Sequence, residues 1–88
     1  MLKIERATDG ALVIFTLSGQ IEEEQVAELH ALCEPGAEGH KLVLDLHEVR
    51  LVDREAVRFL ARCEAQGAKL VRCPAYIREW ITRVRNQP

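Results

Sequence analysis

Hydrophobic residues along the chain fall into short runs of strand length and into stripes spaced three and four apart, the two patterns that strands and helices impose. Two strand-like runs, LKIERA and ALVIFTLSG, are separated by Thr8-Asp9-Gly10, and Asp-Gly between such runs is a hairpin signal. The second run is apolar at Leu12, Val13, Ile14, Phe15 and Leu17, which predicts a strand covered on both faces. In IEEEQVAELHALCEPG, Val26, Leu29 and Cys33, with His30, follow helical spacing. Glu22, Glu23 and Glu24 fall in its first turn, where negative charge complements the helix dipole, and Pro35-Gly36 predicts its stop.

KLVLDLHEV alternates, with Leu42, Leu44 and Leu46 on one side and Val43, Asp45 and His47 on the other. A short loop over 50–52 then leads to Asp53, a natural N-cap. The helix that follows has Ala56, Phe59, Leu60 and Cys63 as its stripe and Gly67 as its C-cap. AKLVRCP reads as a short strand ended by Pro74, and AYIREWITRVR places Ile77, Trp80, Ile81 and Val84 on one helical face. The order is β-β-α-β-α-β-α. Strand–helix–strand crossovers require parallel pairing, and the opening hairpin adds an antiparallel pair. The expectation is an α/β fold, one domain over residues 1–88 with a small mixed sheet of about four strands and about three helices.

Composition narrows the function classes. The chain has 88 residues, 48% hydrophobic and 30% charged, with a formal net charge of −2. That balance is ordinary for a soluble globular domain and argues against a dedicated nucleic-acid binder. No apolar run approaches the roughly 20 residues of a membrane span, and MLKIERATDG lacks the apolar core of a signal peptide. Cys33, Cys63 and Cys73 leave one cysteine over under any pairing, and none sits in a C-x-x-C spacing. Three free thiols in a reducing cytoplasm is the expectation.

Several segments together resemble the STAS domain, the family of anti-sigma-factor antagonists and of the cytoplasmic domains of sulfate transporters. LSGQI, Leu17 to Ile21, is similar to the family's L-x-G-x segment leading into the first helix. LVLDLHEVRLVDREAVRFL is similar to its most recognisable stretch, in which two aspartates, here Asp45 and Asp53, bracket the end of a strand. GAKLVRCPAYIREWI is similar to the strand and helix that follow. In family members with a phosphoswitch, the second hydroxyl of D-S-[ST]-G is phosphorylated by a partner anti-sigma kinase. Here that motif is Asp53-Arg54-Glu55-Ala56, and Glu55 stands at the phosphoacceptor position. The one serine is Ser18 and the threonines are Thr8, Thr16 and Thr82, none at this junction. The resemblance also implies a further strand and helix after the Trp80 helix, which this sequence does not supply. Either the sequence is a truncated piece of such a domain, or it is a minimal version whose last strand is an exposed sheet edge, able to pair with a partner or a second copy.

With Asp53 as N-cap, Glu55 sits at N2, where a carboxylate interacts favourably with the helix dipole by about 0.3–1 kcal/mol. Glu55 reads either as an ordinary first-turn acid or as a permanent stand-in for a phosphate, and the two are compatible. The resemblance makes Asp45 a structural residue bonding to loop amides near the site. His30 and Cys33 lie one helical turn apart, but two ligands do not close a zinc site. His40 and His47 flank the central strand without forming a motif. No nucleophile–base pattern and no glycine-rich phosphate loop is present, so no catalytic residue and no cofactor is expected. Arg78, Arg83 and Arg85 surround the last helix's apolar stripe, with Arg72 before it. Such a basic face suits an acidic partner or a membrane surface, or is simply solvated. Trp80 is either that helix's core anchor or an interface hot spot.

Two functions fit. The first is a cytoplasmic regulatory binding module, similar to a bacterial anti-sigma-factor antagonist in signalling and transcription regulation. It would dock on a protein such as an anti-sigma-factor kinase through Asp53, Arg54, Glu55, Ala56 and Arg58, without phosphorylation at the usual site. The second is an accessory subunit of an ABC-type membrane transport complex, with the same helix face on an ATPase subunit. Neither needs chemistry, nucleic acid or membrane insertion.

Overall fold

The computed structural model describes residues 2–32 and 41–86. Their elements follow the expected order: β1 (Leu2–Asp9), β2 (Leu12–Ile21), α1 (Glu23–Leu32), β3 (Lys41–Val52), α2 (Arg54–Ala65), β4 (Lys69–Val71) and α3 (Ala75–Arg85). The four strands form one mixed sheet in the order β1-β2-β3-β4. β1 and β2 are an antiparallel hairpin turned at Gly10, whose φ is +60°. β2, β3 and β4 run parallel. The proposed helix stop at Pro35-Gly36, together with Cys33 and His40, lies outside the described residues.

The β2-α1-β3 and β3-α2-β4 crossovers step in one direction across the sheet. Right-handed connections therefore place both helices on the same face. Phe15, Leu17, Leu44 and Leu46 point to that face and form one core with Leu29 of α1, Val57 and Leu60 of α2, and Ile77 and Ile81 of α3. The alternate residues Leu12, Ile14, Val43 and Val71 are only half-buried and take no part in that core. The expectation that β2 is covered on both faces is therefore corrected. A continuous apolar run reports low polarity, and here one side of it faces a sheet surface that no described helix covers.

β3 is longer than its alternation suggested. From Asp45 to Glu48 it advances three residues while β2 advances two, Thr16 to Ser18. From Val49 to Leu51 it advances two while β2 advances one, Gly19 to Gln20. These bulges change which side chains face the core, so the buried apolar residues run Leu44, Leu46, Val49, Val52. The stretch 50–52, expected as a loop, is strand, and Asp53 alone joins it to α2.

Asp45 is corrected as well. It is buried, and its partners are Arg72 and the backbone N–H of its near neighbour His47, at 3.1 Å, rather than loop amides. Arg72 follows β4 with φ +50°, the one positive φ outside glycine among the described residues. That turn aims its guanidinium back across the strand at Asp45, pinning a three-residue edge strand. The Arg72 hydrogen bonds hold the Asp45 carboxyl below its ordinary range despite burial.

Candidate functional site

Asp53 organises the junction where β2 and β3 end and α1 and α2 begin. Its backbone N–H donates to the Ile21 carbonyl at 3.2 Å, extending the β2–β3 ladder by one step. Its Oδ1 accepts from the Ala56 N–H at 2.9 Å, the N-cap bond of α2. Its Oδ2 accepts from the Glu23 N–H at 2.7 Å, the first residue of α1. One carboxylate thus satisfies free amides on two helix N-termini, groups that otherwise have no partner in their own helix. α1 adds its own closure, because the Gln25 side chain accepts from the Glu22 N–H at 3.0 Å, half of a capping box.

The residues after Asp53 divide by burial. Arg54 and Arg58 are exposed and Glu55 is half-exposed. Ala56 is fully buried and packs in the core. It is therefore removed from the docking residues proposed on sequence, because the helix turns its methyl group inward. Glu55 stands at N2 and pairs loosely with Arg58 at 3.4 Å. Exposed pairs of this kind contribute little stability, which leaves both charges available at the surface. On one side of this turn lie the exposed Glu22, Glu23 and Glu24; on the other lies α3.

The three arginines of the last helix are less free than a basic face implied. Glu64 of α2 receives both ends of the Arg78 guanidinium at 2.9 Å and Arg85 at 3.1 Å. Arg78 holds the Glu64 carboxyl below its ordinary range. Arg83 pairs with Glu79 at 2.7 Å. The Glu64 contacts clamp α3 to α2, while the Arg83–Glu79 pair lies within α3. Trp80 is half-buried, touching the core with one side while the other borders a depression beside Arg54 and Tyr76. Tyr76 is 47% exposed. The sequence stripe missed it, although it lies one turn before Trp80 and so shares its edge of the helix.

Cys63 and Cys73 are free thiols. Burial pushes the Cys63 thiol up to about 11, so it is an inert core group. His30 is exposed and tilts against Phe59 of α2, with ring centroids 6.3 Å apart. Among the described residues, no three His, Cys, Asp or Glu side chains converge as a metal site, and no helix is long and apolar enough to cross a membrane.

The mixed four-stranded sheet with helices on one face is a fold shared with known proteins. A family model described as "Mlab, STAS domain" matches residues 4–73. The chain belongs to the STAS family. The STAS domain of an antisigma-factor antagonist from Rhodobacter sphaeroides is similar at 20% identity with a TM-score of 0.59, over 78% of this chain and 82% of that one. The anti-sigma factor antagonist SpoIIAA, in its unphosphorylated form, is similar at 17% identity with a TM-score of 0.58, over 99% and 100%. A segment of Mglu is similar at 27% identity with a TM-score of 0.57; the match covers 75% of this chain and only 18% of that one. No curated protein matches the sequence. This STAS domain therefore shares its fold with anti-sigma-factor antagonists.

Proposed function

We propose that this STAS domain is a non-enzymatic docking module that engages a protein partner through Arg54, Glu55 and Arg58. The observation that carries this reading is the Asp53 double cap. It fixes the first turn of α2 in place and presents one carboxylate between two guanidiniums. A preorganised charged turn gives specificity with little ordering cost on binding. Glu55 acts as a constant charge where switchable relatives carry a hydroxyl, so docking at this turn is set by charge alone and not by phosphorylation. Binding takes place in the cytoplasm, a reading supported by the free thiols of Cys63 and Cys73. The partner is an anti-sigma-factor kinase, in a bacterial pathway of signalling and transcription regulation. The second reading, an accessory subunit gripping the ATPase of an ABC-type transport complex, is favoured by the same carboxylate, because a permanent subunit needs no switch.

The test is affinity capture from the native host, with wild-type protein and the R54E/R58E variant side by side. The expected outcome is one partner retained by wild type and lost by the variant. A kinase supports the first reading and an ATPase the second; a partner held equally by both proteins overturns docking at this turn. Incubation with an anti-sigma kinase and ATP is expected to add no phosphate at this junction.

A further inference from the structure

α3 lies against α2 so that two open depressions share Val84. One, of about 580 Å³, is bordered by Arg54 of α2 and by Tyr76, Trp80 and Arg83 of α3. The other, of about 420 Å³, has Ala61 at its floor and Arg58 and Arg62 at its rim. Tyr76, Trp80 and Val84 follow one another at four-residue intervals, so they form a row about 12 Å long on one edge of α3. The helix is held to the core by Ile77 and Ile81, both fully buried. Trp80 and Val84 pack against that core with one side only, and the open side of the row is what an interface anchor requires.

Charge says what fits there. The residues bordering the two depressions include five arginines and two glutamates, a local excess of three positive charges on a chain whose net charge is −2. Glu79 is engaged by Arg83 at 2.7 Å, whereas Glu55 meets Arg58 only loosely at 3.4 Å. Arg54 and Arg62 have no ion-pair partner among the described residues. Beyond Asp53 the sign reverses, at the exposed Glu22, Glu23 and Glu24. A polyanion without apolar groups would meet that acidic edge and leave the aromatic row unused. A strand finds no backbone to pair with, because α3 keeps its own hydrogen bonds.

We propose that the α2–α3 surface receives an acidic amphipathic helix of the partner protein, with apolar side chains seated on either side of Val84 and carboxylates on Arg54 and Arg62. The inference rests on the docking function above and names the partner's chemistry. A helix presenting apolar residues at i, i+4 and i+7 matches a row of this length, and rim charges of opposite sign steer it into register.

Trp80 is the single tryptophan of the chain, so its emission reports this surface directly. The full chain is titrated with a synthetic helical peptide carrying leucine at i, i+4, i+7 and i+11 and glutamate on the flanks. The same peptide with lysine for glutamate, and phosphatidylglycerol vesicles, serve as separate arms. The expected result is a saturable blue shift with the acidic peptide, weakened as salt rises from about 0.05 to about 0.5 M. No shift is expected with the basic peptide or the vesicles. R62E/Y76A, two changes at exposed positions outside the α2 turn, is expected to weaken the acidic peptide about tenfold. The inference is overturned by an absent shift, by equal binding of the basic peptide, by a response to vesicles instead, or by unaltered binding in R62E/Y76A. Loss of the native partner from R54E/R58E alongside any of these results leaves turn docking standing and removes only the helix in the groove.

Discussion

Asp53 shows how much one side chain decides. Its role as the N-cap of α2 was legible, because an aspartate before an amphipathic stripe has few better places to be. Its bond to Glu23 was not, because nothing in a sequence states that two helices thirty residues apart begin side by side. Replacing Asp53 by Ala removes both acceptors, and the N-cap bond alone is worth about 0.5–2 kcal/mol. D53A is therefore expected to lower the urea midpoint by more than D53N, which keeps one acceptor oxygen; equal losses in the two variants would show that the second bond contributes nothing. Asp45 was legible as a special residue on the wrong side of the alternation, but its partner Arg72 lies beyond a crossover. The left-handed backbone at Arg72 that makes the pair leaves no mark on residue type.

At the scale of elements, helix positions followed from spacing while strand β3 did not end where its alternation ended. Bulges are set by the partner strand's register, and Val49 and Val52 are read as core only after both bulges are counted. The α2–α3 pair is held by the Glu64 cluster as well as by the core. Arg78 keeps the folded Glu64 carboxyl below its unfolded value of about 4.3. A depressed carboxyl stabilises the fold fully above the unfolded value, and the contribution is lost as pH falls through the lower folded value. E64Q is thus expected to be less stable than wild type at neutral pH, with the difference shrinking below about pH 4. Urea midpoints measured across that range decide it; a pH-independent difference would assign the effect to packing.

For the whole molecule, the element order and mixed sheet were readable from hydrophobic pattern and connection rules. The one-sided covering was not, because near-continuous apolarity in β2 carried no information on which side the helices take. The two faces make opposite predictions. Leu17 is fully buried among the helices, so Leu17→Ala is expected to destabilise by about 2–5 kcal/mol. Ile14 lies two strand positions from Thr16 on the other face and is half-buried, so Ile14→Thr is expected to cost under about 1 kcal/mol. Chemical denaturation of the two variants checks this, and similar losses would mean that the second face is packed too.

The shared carboxylate at the meeting point of the two helices has a mechanical corollary. Because Asp53 holds the opening turn of each helix, any displacement of one strains its bond to the other, and the α2 start is thereby coupled to the triple-glutamate segment.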